Sequence, residues 1–336
     1  MSAEAAPLTA APSAAVAAIL GRHRLRAVEA LPWLCAGLGF FALPDYLALG
    51  SQILIMTLFA MSLDLVLGYA GIVTLGHAAF FGTGAYVAGI LALHGWSEPI
   101  SALAIAGAAA GLLGVATGLI VLRARGLALL MLTLVVAEML QEAANKLGWL
   151  TGGTDGLQGI TIAPLLGRFD FDLFGRTAYL YSLAVLLLAW WLVRRIVHSP
   201  FGHSLTGLRE SAIRMRAIGA PVFRRRLRAY AVSAALAGIA GALLTQTTQF
   251  VGLQVLSFEL SGTVLVMLVL GGIGRLYGAF IGAPLYMIAQ DQLAKQDPVN
   301  WLFWIGLLLV LIVFFARGGI LGLVDRILMA MGRRCA

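Results

Sequence analysis

The sequence predicts an all-α membrane protein, a polytopic bundle of about ten transmembrane helices with both termini on the cytoplasmic side. Three observations lead there. Of the 336 residues, 61% are hydrophobic and 11% are charged, where a soluble domain carries about 25% charged residues. Apolar stretches of about twenty residues, each enough to cross a bilayer as a helix, recur along the chain. Between two of them lies a segment, 194–228, that carries nine arginines (Arg194, Arg195, Arg209, Arg214, Arg216, Arg224, Arg225, Arg226 and Arg228) and one acid, Glu210. A loop so basic in a chain so apolar belongs on the cytoplasmic side of a membrane.

In chain order, residues 1–28 form a tail. Its first twenty residues are rich in Ala, Pro and Ser, with no basic segment ahead of an apolar core, so a disordered cytoplasmic tail is expected rather than a cleaved signal peptide. A membrane domain, 29–317, follows. Its spans are expected at 31–49, 50–68, 72–93, 99–122, 127–146, 177–193, 229–250, 256–272, 276–292 and 299–316. The third admits a second form, a re-entrant element plus a helix. Residues 318–336 form a cytoplasmic C-terminal tail. With an even number of spans and the amino terminus inside, all but four of the 23 lysines and arginines fall on the cytoplasmic side; Lys146, Arg168, Arg176 and Lys295 are the exceptions. This bias accounts for the net charge of +8 and calls for no nucleic-acid partner.

No catalytic constellation is visible. The chain holds no G-x-S-x-G elbow, no H-E-x-x-H pair and no phosphate-binding loop. The five histidines (His23, His77, His94, His198 and His203) do not stand at ligand spacing with a carboxylate or cysteine, and Cys35 and Cys335 are too few and too far apart for a metal site or a disulfide framework. No metal site is expected, and a transporter is favoured over an enzyme.

The 40 glycines cluster. They recur every few residues from Gly68 to Gly84, and again from Gly271 to Gly278. Such clusters allow close helix contact or a broken helix, and irregular backbone at membrane depth survives only where protein or a water-filled path satisfies it.

The run Leu67-Gly68-Tyr69-Ala70-Gly71, continuing through Gly76-His77-Ala78-Ala79-Phe80-Phe81-Gly82 to Gly84-Ala85-Tyr86, closely resembles the signature of LivM-type permeases of branched-chain amino acid ABC importers. Four further blocks resemble the same family in the same order. They are Arg123-x-Arg125-Gly126 leading to Thr133-Leu134 and Glu138, then Thr151 to Leu157, Ser199-Pro200-Phe201-Gly202, and Gly271 to Gly278. The chain departs from the pattern at Asp64, where the family often has Asn, and near Gly318-Gly319-Ile320-Leu321, where a Pro-Glu-Gly-Leu ending is common. Relatives with a similar permease handle urea, short amides and other small polar solutes, which is the alternative cargo.

The resemblance implies a permease subunit in a bacterial cytoplasmic membrane, without catalysis or a cofactor of its own, ATP and Mg residing on partners. Those partners are a homologous second permease, two cytoplasmic ATPases and a periplasmic or lipid-tethered solute-binding protein, with membrane lipid around them. Between His203 and Gly219 the apolar residues Leu205, Leu208, Ala212 and Met215 recur at helical spacing. That short amphipathic helix, ended by Gly219, resembles the coupling helix that such permeases set into an ATPase cleft, with Arg209 and Glu210 as expected contacts; a helix lying on anionic lipid is the plainer reading. The outer turn, with Thr151, Gly152, Gly153 and Asp155, is expected as a gate or a contact for the binding protein.

Five polar residues are candidates for the solute path: Asp64, Thr74, His77, Glu138 and Gln246. Glu138 falls near the middle of its span, where a carboxylate costs about 3 kcal/mol on insertion scales, so it should face other helices or water. Asp64 is expected to bond locally near the glycine turn, to Thr74 or His77, and His77 either organises that turn or meets solute. An ion-coupled secondary transporter using Glu138 or Asp64 as its ion site is the remaining alternative.

Overall fold

The computed structural model describes residues 31–42, 44–165, 175–315 and 318–322. The expected tail 1–28 and residues 323–336 of the C-terminal tail lie outside them. The described residues are mostly helical, and an isolated antiparallel bridge joins Leu157 to Val251.

Helix α1 (Leu31–Ala42) is followed by a single 3₁₀ turn, Pro44–Tyr46, and by α2 (Leu47–Asp64), which widens into a π-helical turn over Leu65–Tyr69. The first break therefore falls at Pro44 and not at 49/50, because proline disfavours helix in the residue before it and offers no N–H to a helix interior. After an irregular stretch come α3 (Ala78–Leu93), α4 (Pro99–Val121), α5 (Leu127–Lys146) and the one-turn α6 (Gly148–Thr151). The second half holds α7 (Arg176–Val197), α8 (Pro200–Glu210), α9 (Ala212–Ala217), α10 (Val222–Thr248), α11 (Phe258–Gly271), α12 (Gly278–Gln296) and α13 (Trp301–Phe315).

Five of these segments are long and apolar enough to cross a membrane: 47–69, 99–121, 127–146, 176–197 and 222–248. Shorter apolar helices cover 32–41, 78–93 and 258–271. The protein is an all-α membrane protein.

Two boundaries differ from expectation in a way that matters for function. The third expected span, 72–93, is helical only from Ala78; residues 70–77 run without regular structure, and Ala70, Ile72, Thr74 and His77 are buried. Protein groups accept from several of its N–H groups, those of Ile72, Leu75 and Gly76, and such contacts let irregular backbone persist at depth. The basic segment 194–228 is mostly helical, with α8 and α9 in its middle and short joints between. Arg194 and Arg195 close α7, and Arg224 to Arg228 stand in the first turns of α10, which begins just after Pro221.

The centre of the bundle is α2, α3 and α10, with α4 along the outside of α10. Lipid tails offer helices no hydrophobic incentive to associate, so close packing through small residues has to do it. At the α3–α10 crossing a Cβ on Gly84 would lie 2.0 Å from the Gly238 carbonyl oxygen, and one on Gly241 would lie 1.9 Å from that of Phe81. Around the crossing Phe59 stacks on the His77 ring at 5.5 Å, Phe81 lies 4.5 Å from Phe59, and Phe80 meets Tyr230 edge-on at 5.3 Å. Helix α5 is attached differently. It leans on the 70–77 stretch and on the 3₁₀ turn Leu253–Leu256 through one narrow face of Leu129, Thr133, Ala137 and Ala144.

Candidate functional site: a glycine knot beneath a basic elbow

The two glycine clusters, some 200 residues apart in the sequence, meet in space. Asp64, the last residue of α2, is buried, and its Oδ1 accepts a hydrogen bond from the Gly274 N–H at 2.7 Å. One turn on, the Gly68 carbonyl accepts from Nη1 of Arg209, which reaches in from α8. A Cβ on Gly68 would lie 2.0 Å from Asp64 Oδ1 and 2.6 Å from the Gly274 nitrogen. Only glycine lets the end of α2, the carboxylate and the 272–277 turn come together. The π turn prepares this geometry: Ala70 N–H bonds to the Leu65 carbonyl at 3.2 Å and Ile72 N–H to that of Val66 at 3.0 Å, wider turns than an α-helix makes and often found at functional positions. Among the described residues Asp64 Oδ2 is buried without a hydrogen-bond partner, and the Arg209 charge lies nearby. The expected bonds from Asp64 to Thr74 or His77 do not form. Thr74 Oγ1 accepts instead from the Gly76 N–H at 3.3 Å, and His77 Nε2 pairs with Ser62 Oγ at 2.9 Å.

Arg209 belongs to an elbow rather than to one amphipathic helix. The expected continuous helix between His203 and Gly219 is broken at Ser211, whose backbone is extended at φ −158° and ψ 101°. Serine competes for local backbone bonds, and here its hydroxyl caps α9 by accepting from the Arg214 N–H at 3.3 Å, just as Ser199 caps α8 through Gly202. Leu205 and Leu208 are buried against the bundle. Met215 folds back on α8, and a Cβ on Gly207 would lie 2.9 Å from its sulfur. Ala212 is half-buried, Glu210 is exposed, and Gly219, at φ +81°, ends the elbow. The large apolar side chains that face outward are Ile213 and Ile218, 78% and 75% exposed. Sequence periodicity missed both because it assumed one helix; a break at Ser211 turns the second set of apolar residues out. Beside the elbow, Arg125, Arg216 and Arg226 line a cleft of about 220 Å³ together with Gly71 and Ile72.

The other candidates scatter over the molecule. His77 is fully enclosed: its Nε2 touches Ser62 and, at 3.5 Å, Ser233, whose hydroxyl also donates to the Ser62 carbonyl. These two serines, which no motif singled out, join α2 and α10 to the start of α3. Gln246 is buried as a clamp, accepting from Tyr181 Oη at 2.9 Å and donating from Nε2 to the Pro99 carbonyl at 2.8 Å, so it ties α7, α10 and α4. Thr151 Oγ1 donates to the Ala144 and Leu147 carbonyls and closes the end of α5. Gly152, Gly153 and Gly156 all take positive φ, Asp155 is exposed, and Leu157 fastens the turn to Val251 with an N–H to carbonyl bond of 2.8 Å. Among the described residues Glu138 is exposed on α5.

Residues 46–315 match the family described as branched-chain amino acid transport system, permease component. The chain belongs to that family. Among curated relatives, the high-affinity branched-chain amino acid transport system permease protein LivM of Escherichia coli (strain K12) is 28% identical over 286 residues, covering 79% of this chain and 67% of the relative. LivM of Salmonella typhimurium (strain LT2) is 27% identical over 291 residues, with 80% and 68% covered. A probable LivM permease of Methanocaldococcus jannaschii is 24% identical over 181 residues, covering 49% of this chain and 52% of its own length. No solved structure matches the chain. The LivM-type resemblance carried by the five blocks therefore holds, and the glycine knot and the elbow are features of a transport permease.

Proposed function

We propose that this permease is one membrane subunit of an ATP-binding-cassette importer for branched-chain amino acids, seated in a bacterial cytoplasmic membrane. The observation that carries the reading is the family match across 46–315. Ten membrane crossings with the basic elbow and both termini on the cytoplasmic side fit the distribution of arginine. A homologous second permease, two ATPases that carry the ATP and Mg, and a solute-binding protein complete the assembly, and this chain itself neither hydrolyses ATP nor catalyses any other reaction.

The geometry supplies a route for force. Ile213 and Ile218 are apolar knobs at the tip of the elbow, suited to a cleft on an ATPase. Leu205 and Leu208 anchor α8 in the bundle, so displacement of the tip is carried to Arg209. Arg209 holds the Gly68 carbonyl, and through Gly68 and Asp64 the motion reaches the end of α2 and the 272–277 turn. The irregular 70–77 stretch between α2 and α3 gives way more easily than a helix would, so closure of the ATPases tilts helices and alternates access.

Reconstitution of this chain with its second permease and two ATPases tests the reading. Leucine uptake should require ATP and the binding protein. Transport by this chain alone in ATP-free vesicles, collapsing with an uncoupler, would replace it with an ion-coupled carrier, and preference for urea or a short amide would change the cargo.

A further inference from the structure

Helix α5 carries a polar stripe that begins at mid-membrane. With a rise of about 1.5 Å per residue, Glu138 stands about 16 Å from the start of α5, midway across a hydrocarbon layer of about 30 Å. Gln141, Glu142 and Asn145 follow at i+3, i+4 and i+7, on the same face. Glu138, Glu142 and Asn145 are exposed and Gln141 is half-buried, while the packed face of the helix is formed by Thr133, Ala137 and Ala144. On the other half of α5 the exposed residues are apolar, Leu127, Met131 and Val135. Polarity thus runs from the bilayer centre to the Lys146 end only.

Lipid does not suit this face. A carboxylate at the centre of a lipid-facing helix costs about 3 kcal/mol on insertion scales and more in isolation. Helices α4 and α7 show what a lipid-facing surface looks like in this molecule, with Leu112 71% and Leu188 67% exposed among other apolar side chains. The neighbouring α11 extends the wet surface. Its first turn exposes Glu259, and one turn on, a Cβ at Gly262 would meet only open space. Glu142 is paired with Lys146 at 3.4 Å, so Glu138 is the unpaired charge of the stripe.

Building on the importer reading, we propose that this half of α5 is one wall of a water-filled access route through the outer leaflet, shared with the second permease, and that Glu138 at its inner end meets the ammonium group of the amino-acid solute. Attraction between that ammonium and the carboxylate, stronger between low-dielectric walls than in bulk water, draws a zwitterion down the route while the binding protein supplies selectivity.

Cysteine accessibility in the complete transporter decides it. Cys35 and Cys335 are replaced by Ser, and single cysteines are placed by Glu138→Cys, Gln141→Cys and, as a lipid-facing reference, Leu112→Cys. A charged, membrane-impermeant thiosulfonate is applied from outside to transporter in proteoliposomes. The expected result is labelling at 138 and 141 at least tenfold faster than at 112, slowed at 138 by leucine-loaded binding protein with ATP. Labelling at 138 no faster than at 112, in a transporter whose wild type imports leucine, overturns the proposal and means that lipid or a helix of the second permease covers this face. Loss of ATP-dependent uptake by the wild type overturns the importer reading instead, and the labelling comparison is unaffected by it. Glu138→Gln gives a second readout: the maximal rate of uptake should fall several-fold while KM, set by the binding protein, and the thermal midpoint stay the same, and an unchanged maximal rate would remove Glu138 from the solute's path.

Discussion

Asp64 and Glu138 are both carboxylates inside membrane helices, and the fold treats them in opposite ways. The window around Asp64 on α2 is 72% buried and that of α5 is 22% buried. Asp64 holds the Gly274 N–H and lies beside Arg209; Glu138 stands on a surface of α5 that this chain leaves uncovered. The acid with in-chain partners is part of the scaffold, whereas the exposed acid is the one proposed above for the solute route.

The largest break in this contrast comes at the knot. Gly68→Ala puts a methyl group into the Asp64 carboxylate and the Gly274 backbone, neither of which has room to yield. Folded transporter recovered by size exclusion should fall at least tenfold. Asp64→Ala is the milder cut, leaving the Gly274 N–H without its acceptor at a cost of about 1–3 kcal/mol, whereas Asp64→Asn keeps an oxygen there and should recover most of the thermal midpoint. Equal damage from both substitutions would mean that the carboxylate's charge, not its bond to Gly274, holds the knot.

Arg209→Gln tests the route from elbow to knot. It shortens the reach and removes the charge, so ATP-driven uptake should fall about tenfold while the complex assembles and hydrolyses ATP. Arg209→Lys is expected to recover little, because the guanidinium fork rather than a point charge spans the gap to Gly68. Uptake that falls only in proportion to ATPase activity would place Arg209 in docking and not in transmission.

Much of this was legible in the sequence, for physical reasons that differ by element. Apolar length located most of the helices because the bilayer imposes it. The two glycine clusters were visible as unusual. That Gly68 and Gly274 would touch was not, since nothing in a single sequence relates positions so far apart. Helical periodicity put Leu205 and Leu208 with Ala212 and Met215 on one face meant for the ATPase, but the fold buries both leucines in the bundle, and the pattern ran through Ser211, where side-chain capping overrides it, and so missed Ile213 and Ile218. His77 read as a turn organiser from its small neighbours, yet its partners Ser62 and Ser233 lie on other helices and carry no local signature. Gln246 read as a candidate for the solute path; its bonds to Tyr181 and Pro99 make it a clamp that only packing reveals.

A smaller effect is expected at the elbow itself. Ser211→Ala removes the cap on α9, typically worth about 1 kcal/mol. Since α9 is a six-residue helix with no buried residue, its loss should leave the thermal midpoint of the bundle unchanged and appear as faster amide exchange over 212–217. Ser211→Asp should restore protection, because an aspartate accepts the same N–H bond and suits a helix N-terminus. A fall in the midpoint of the bundle would mean that the elbow stiffens the core as well as reporting to it.

The smallest effect belongs to an acid outside the membrane helices, which completes the contrast. Asp297, after α12, accepts bonds from the Asn300 N–H at 3.2 Å and from the Asn300 side-chain amide, ahead of α13. Those bonds favour the carboxylate and hold its pKa below the ordinary value. A depressed folded pKa means that the ionised form is the one folding favours, so its contribution is complete above the unfolded value of about 3.9 and is lost as pH falls through the lower folded value. Amide exchange at 300–304 should therefore be flat between pH 6 and 8 after correction for intrinsic rates, and rise below about pH 4. Asp297→Ala should show the raised exchange at every pH, with uptake unchanged. Protection lost already between pH 5 and 6 would point to a titrating group other than Asp297.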